Sequence, residues 1–275
     1  MASTGKPNIH LYSASTANGI KATILLEELG LPYEVTQIDI SKNTQKEPWF
    51  LKINPNGRIP ALTDTFDDGK QIRIFESGSM LQYLVDRYDQ DHKVSYPHGS
   101  REYWEVNNWL MWQMGGLGPM QGQAVHFNRQ FNRQHTQDPG FKLLAHQPIG
   151  FTPTKIEYGV TRYVNETRRL YRTLDDHLKA TISGYIVGDK VTIADIACWG
   201  WASAAHWSGI DLDEFPAVKS WMYKLLKRPG FETGRHVPTR NTFLDMLNQS
   251  TEEIEVQAAP YLEWVQNSMK DDAEK

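Results

Sequence analysis

The sequence predicts an α/β domain followed by an all-α domain, and three features carry that expectation. Over the first eighty-odd residues, short apolar runs of strand character alternate with stretches of helical spacing. Beyond a polar linker at 89–100, every periodic stretch repeats at helical spacing and no comparable strand follows. A chain of 275 residues also has room for two domains at roughly 100–200 residues each.

Taken in order, Asn8-Ile9-His10-Leu11-Tyr12 reads as a strand and residues 13–19 as a polar loop. Residues 20–29 carry apolar side chains at helical spacing, with Gly30 as a stop. Residues 33–40 alternate like a second strand, 45–53 fit a short helix, and Asn54-Pro55-Asn56-Gly57 is a turn cluster. Ile59-Pro60-Ala61-Leu62-Thr63 and residues 71–75 read as two strands around an Asp67-Asp68-Gly69 hairpin turn, followed by a helix at 77–88. The order is βαβαββα. After the linker, helices are expected at 103–114, 157–178, 193–207 and 218–228. Gly115-Gly116-Leu117-Gly118-Pro119 reads as a sharp break or a tight packing point, and 132–154, with its three prolines, as a surface loop. The domains are therefore 8–89 and 101–232. The extension at 233–275 holds an amphipathic segment at 243–264 and a charged end.

Bulk properties narrow the function classes. With 29 basic and 33 acidic residues the net charge is −4, which offers no electrostatic footprint for nucleic acid or an anionic membrane. Cys198 is the single cysteine, so an intrachain disulfide, a CxxC redox pair and a Cys-rich zinc site are all excluded. Scattered histidines such as His10, His126 and His206 have no metal-ligand spacing, so no metal is expected. Residues 1–7 lack a signal-peptide core, and no run approaches the ~18 apolar residues needed to span a bilayer. A cytoplasmic protein with no membrane partner is the expectation. Nine tryptophans and twelve tyrosines fit a large helical core.

Three short clusters carry chemistry. In Ile59-Pro60, a proline opens a strand although it cannot donate to the ladder. Either it sits trans at a strand edge, or a cis bond turns the backbone of Ile59 outward to pair with an extended ligand. In Phe75-Glu76-Ser77-Gly78, Ser77 suits an N-cap, and the same geometry suits a ligand. Orphan N–H groups and the helix dipole attract a carboxylate, while Glu76 pairs with an ammonium; an α-amino acid head carries both. In Ser13-Ala14-Ser15-Thr16-Ala17-Asn18-Gly19, either Asn18 caps the next helix, or small donors at the helix N-terminus stabilise a thiolate.

In register, these clusters resemble the glutathione transferases over essentially residues 8–230. The closest branch contains a fungal nitrogen regulator and its bacterial disulfide-reductase relatives, the nu class. The resemblance rests on Asn18-Gly19, on Asn54-Pro55-Asn56-Gly57-Arg58-Ile59-Pro60-Ala61 and on Phe75-Glu76-Ser77-Gly78. It extends to Trp112-Gln113-Met114-Gly115-Gly116-Leu117-Gly118-Pro119-Met120, to His126-Phe127-Asn128 and to Thr192-Ile193-Ala194-Asp195-Ile196-Ala197 after Gly188-Asp189. It implies a thioredoxin-like N-terminal domain and a helical C-terminal domain in which Thr192 and Asp195 form a buried capping box.

The resemblance also assigns roles. Asn18, with Thr16 beside it, donates to the glutathione sulfur, and Ile59 pairs with the cysteinyl unit beside cis-Pro60. Arg58 and Gln45 reach the glycyl carboxylate, Glu76 and Ser77 hold the γ-glutamyl end, and Arg129 lines the cleft or a dimer interface. Tyr12 is read as an inner strand residue and Cys198 as a buried structural thiol, neither one catalytic. Trp112, Met114, Met120, Phe127 and Trp207 are equally candidates for core and for a second-substrate pocket. The expected activity is reduction of disulfides by two glutathiones, with peroxidase action or conjugation to electrophiles as related outcomes. The alternative is a non-catalytic glutathione-binding regulator. The expected partners are glutathione, a small disulfide or electrophile, and a second copy of the chain in a homodimer.

Overall fold

The computed structural model describes residues 7–128, 156–249 and Glu253. The predicted loop at 132–154, Arg129 and most of the terminal extension lie outside the described residues, apart from 233–249. The first domain consists of β1 (Ile9–Ser13), α1 (Gly19–Leu29), β2 (Tyr33–Gln37), α2 (Pro48–Leu51), β3 (Ala61–Thr65), β4 (Gln71–Phe75) and α3 (Ser77–Tyr88). Its sheet runs β2-β1-β3-β4: β1 and β2 are parallel, and both remaining pairs are antiparallel. The helical domain comprises α4 (Arg101–Trp112), α5 (Gly118–Asn128), α6 (Glu157–Ala180), α7 (Ile193–Ala202), α8 (Pro216–Leu226) and α9 (Pro229–Gly234). The α/β-plus-α expectation therefore holds.

Several expectations shift for local reasons. β2 stops at Gln37, and residues 40–46 instead form two 3₁₀ turns, the first capped by Asp39, whose carboxylate accepts from Ser41 N at 3.1 Å. The helix expected at 45–53 shrinks to Pro48–Leu51, because Pro48 has no N–H and can only open a helix. β3 begins at Ala61, one residue past the proline that cannot join the ladder. The glycine-rich stretch, read as a sharp break or a tight packing point, is the latter: a Cβ on Gly118 would lie 3.2 Å from Trp201 Nε1 of α7. Residues Gln113–Leu117 form a widened π turn that leads directly from α4 into α5, with Pro119 at the tolerant start of the new helix. The helix expected at 193–207 ends at Ala202 and continues only as a 3₁₀ turn at Ala205–Ser208.

Helix α1 sits where the layers meet. Its sequence GIKATILLEEL is apolar nearly all round, and every residue from Gly19 to Leu26 is buried. It packs against α3 within its own domain and against α7 and α9 of the helical domain. The fit is close: a Cβ on Gly234 of α9 would lie 2.5 Å from Ile24 Cα, and the Thr23 hydroxyl donates to Gly234 O at 2.7 Å. Outside this contact, Glu28 and Arg228 pair at 2.7 Å across the same seam.

Asp195 organises the helical domain. Its buried carboxylate accepts from Thr192 N (2.9 Å), Thr192 Oγ1 (3.0 Å), Ile186 N (3.0 Å) and Trp221 Nε1 (2.9 Å), which joins the start of α7 to the preceding loop and to α8. This is the expected capping box with two further donors. Replacing Asp195 by alanine strands buried donors at about 1–3 kcal/mol each, so Asp195→Ala is expected to lose at least about 3 kcal/mol in urea unfolding. Asp195→Asn, which keeps one acceptor oxygen, should lose less.

Candidate functional site

The first loop, between β1 and α1, is shaped by a close approach. A Cβ on Gly19 would fall 2.0 Å from Ala14 O, so only glycine lets the chain fold back onto its own loop here. Thr16, rather than Asn18, then caps the turn: its Oγ1 accepts from Gly19 N at 3.0 Å, and its carbonyl accepts from Ile20 N at 3.0 Å. The capping alternative for Asn18 is thereby overturned, since Asn18 has helical backbone angles and makes no capping bond. Its Oδ1 instead accepts from Trp201 Nε1 on α7 at 3.0 Å. With the oxygen engaged, the carboxamide is oriented and its Nδ2 hydrogens remain for another acceptor. Trp201 is itself braced, as its carbonyl accepts from Gln121 Nε2 at 2.9 Å and Gln121 Oε1 accepts from the Tyr171 hydroxyl at 2.9 Å.

The second wall is the turn before β3. The Ile59–Pro60 peptide is cis. Asn54 holds the approach to it by donating to Arg58 O at 2.7 Å and accepting from Asn56 N at 3.0 Å. The ladder begins only at Ala61, so the backbone of Ile59 lies outside it. Gln45 closes this side. Its Nε2 reaches Asn43 Oδ1 at 3.4 Å, and its buried Oε1 has no hydrogen-bond partner among the described residues.

The third wall is the start of α3. Glu76, not Ser77, occupies the N-cap position, with φ +70° in the left-handed region. A non-glycine residue there costs about 1–3 kcal/mol, a strain that the surrounding structure must hold. The Glu76 side chain makes no capping bond, which leaves the first N–H groups of the helix without a cap from that residue. Ser77 points inward, where its Oγ accepts from Lys21 Nζ at 3.2 Å. Gly78 lets this turn press on Met114, since a Cβ there would lie 2.8 Å from Met114 Cγ.

These walls enclose one cleft of 360 Å³. Thr16, Asn18, Gln45, Arg58, Ile59, Pro60, Glu76 and Ser77 all line it, and Arg129 lies outside the described residues. Ile40, Asn54 and Asn56 line it as well; the sequence reading missed them as site residues, although Asn54 and Asn56 fall within its turn cluster. Tyr12 is not among the lining residues. It stacks on His10 at 4.4 Å and meets Phe50 edge-on, as an inner strand residue does. Trp112, Met114 and Met120 pack against the core, Phe127 stacks on Tyr163 at 5.2 Å, and none of them lines this cleft.

Two buried titratable groups lie behind the cleft. Burial lowers the Lys21 ammonium to about 7, against opposing pulls from Cys198 and Glu76. Burial pushes the Cys198 thiol well above its ordinary value, with Asp195 adding to the rise and Lys21 opposing it. Among the described residues, no three His, Cys, Asp or Glu side chains cluster as a metal site, and no helix is long and apolar enough to cross a membrane. Because the Cys198 thiol is fully buried and protonated at neutral pH, native protein should give no reaction with a disulfide thiol reagent, and one equivalent after denaturation.

Comparison with known proteins matches both halves of the chain to family models. Residues 7–86 match the glutathione S-transferase N-terminal domain, and residues 148–229 match the C-terminal domain. The disulfide-bond oxidoreductase YfcG of Escherichia coli is 39% identical over 223 residues, covering 80% of this chain and 91% of its own. A crystal structure of a glutathione transferase homolog from Lodderomyces elongisporus, with two glutathiones per subunit, superimposes with a TM-score of 0.71 at 41% identity. That match covers 84% of this chain and 99% of the other. The glutathione transferase URE2P8 of Phanerochaete chrysosporium, solved with oxidized glutathione, gives a TM-score of 0.68 at 34% identity over 84% of this chain and 95% of its own.

Proposed function

We propose that this chain, which belongs to the glutathione S-transferase family, binds glutathione in the 360 Å³ cleft and uses its thiolate to reduce disulfides. The observation that carries the reading is the Asn18 carboxamide: its oxygen is held by Trp201, and its nitrogen is left to donate beside the strand-to-helix loop. A thiolate there meets Asn18 Nδ2, the Thr16 hydroxyl and the N-terminal dipole of α1, which together favour the anion over the thiol. The γ-glutamyl carboxylate and ammonium fall to Ser77, the α3 N-terminus and Glu76. The cysteinyl unit pairs with the Ile59 backbone, and the glycyl carboxylate lies toward Arg58 and Gln45.

The chemistry then needs no protein thiol. Glutathione thiolate attacks one sulfur of a disulfide, forming a mixed disulfide and expelling a thiolate that takes up a proton. A second glutathione thiolate attacks the glutathione sulfur of that mixed disulfide, releasing oxidised glutathione and the second thiol. Burial of Cys198, the single cysteine, supports a route through two glutathiones. The two glutathiones of the Lodderomyces elongisporus protein, the oxidized glutathione of URE2P8 and the activity in the name of YfcG support the same reading. A cytoplasmic homodimer completes the proposal, with exposed Trp104 and Met111 on one face of α4 as an apolar surface for the partner copy.

Removing a positioned donor to a developing anion costs roughly a hundredfold. Asn18→Ala should therefore reduce hydroxyethyl disulfide about a hundredfold more slowly in kcat/KM, and an unchanged rate would refute its role. Trp201→Phe keeps Asn18 but frees its carboxamide. The expected loss is smaller, on the order of tenfold, with affinity for S-methylglutathione retained. Ser77→Ala should instead weaken S-methylglutathione binding by about tenfold, the equivalent of one charge-assisted hydrogen bond. Glutathione binding without turnover of disulfide, peroxide or electrophile would favour a regulatory protein instead.

A further inference from the structure

We propose that Lys21 is the buried counter-charge of the carboxylate subsite at Ser77, so that binding of a ligand carboxylate there is coupled to protonation of Lys21. The proposal rests on the cleft reading above and goes beyond it by adding a proton to the binding equilibrium.

Lys21 lies in the first turns of α1, fully buried, where an apolar residue would cost the fold less. Its Nζ contacts Gln113 Oε1 at 2.6 Å, Ser77 Oγ at 3.2 Å and Met114 Sδ at 3.6 Å. All three partners are neutral, so the ammonium has no hydrogen-bonded anion among the described residues. Ser77 links it to the cleft, since Ser77 both lines the cleft and accepts from Nζ. A donor behind Ser77 also settles how that hydroxyl works. With a lone pair occupied by Nζ, its own hydrogen is free to turn outward to a ligand carboxylate. Ser77 Oγ donates to Met114 Sδ at 3.5 Å, a weak acceptor that is readily exchanged.

The titratable and charged groups that face Lys21 are few. The start of α3 contributes Glu76, and α7 contributes the protonated thiol of Cys198. The π turn contributes only neutral Gln113 and Met114. On the α9 side, the contact with α1 runs through Thr23 and Gly234, and the Glu28–Arg228 pair is already closed. Among the described residues Glu76 is the carboxylate that acts on Lys21, and the proposed function gives it to the ligand ammonium. A ligand carboxylate on Ser77 restores a negative charge next to the buried site.

The sign follows from linkage. Burial holds Lys21 at about 7. An anion one hydroxyl away favours the charged form and raises that value. Below pH 7 Lys21 is already charged and binding takes up little proton. Above it, binding must draw a proton, and affinity falls as pH rises.

Calorimetry on the full chain with S-methylglutathione, whose blocked thiol cannot ionise, tests this. At pH 7.5, heats measured in buffers of different ionisation enthalpy should show net proton uptake, and affinity should fall by about fivefold to tenfold between pH 6 and pH 8. S-methyl-(4-aminobutanoyl)cysteinylglycine lacks only the γ-glutamyl carboxylate and should bind without proton uptake. Lys21→Met should bind S-methylglutathione with buffer-independent heat and no such pH dependence. Buffer-independent heat in the unaltered protein would overturn the proposal, as would uptake that persists in Lys21→Met or with the carboxylate-free ligand. If Lys21→Met does not fold, the two ligands compared on the unaltered protein still decide. Failure of S-methylglutathione to bind at all would overturn the cleft reading, and this proposal with it.

Discussion

The structure depends on the burial of α1 from both sides. A helix enclosed by its own α/β layer and by α7 and α9 cannot be moved without opening the seam between domains. Its least buried part is the C-terminal turn, while its buried N-terminal end continues directly from the loop that lines the cleft. Thr16, Asn18 and, one turn inward, Lys21 all take their positions from that helix. The close approaches at Gly19 and Gly234 keep its register against both neighbours.

Around this helix, the polar groups share one device: a second residue occupies one half of each functional group and leaves the other half for a ligand. Trp201 takes the oxygen of Asn18, and Lys21 takes a lone pair of Ser77. The backbone N–H of Gly19 takes the Thr16 oxygen, leaving the hydroxyl hydrogen. Orientation fixed in this way costs no reorganisation when the ligand arrives. Two of these supporting residues come from the other side of a helix packing surface, and Trp201 comes from the other domain. The cleft is formed mainly by the first domain but is held in its working geometry by the second.

Much of this was legible in the sequence because the signals were local. The strand read at 71–75 beside the Asp67-Asp68-Gly69 turn and the helix read at 77–88 match β4 and α3 to the residue. Pro60, Glu76-Ser77 and the small polar loop at 13–19 flagged three separate segments that the fold brings around one cleft. Local signals failed where several outcomes share the same composition. Glycines at 115, 116 and 118 suggested a break or a tight packing point, and the structure places the first two in a π turn and the third at the start of α5. Asn18 has the composition of a cap, but the loop returns so tightly on Gly19 that Thr16 reaches the position first.

The sequence by itself determined the two-layer order, the apolar stripe that buries α1, and the residue types at three turns, because propensity, periodicity and capping act within a few residues. It also determined that no second cysteine could join the chemistry. Only the tertiary structure decided which atom of each side chain is available. Lys21 reads as an ordinary helix lysine, and Trp201 as one of nine tryptophans, until Lys21 is paired with Ser77 and Trp201 with Asn18. Those contacts join residues 56 and 183 positions apart, and no local rule reaches across such a span. Packing of α1 against α3 creates the first and packing of the helical domain against the α1 loop the second, and with them the electrostatics of the cleft.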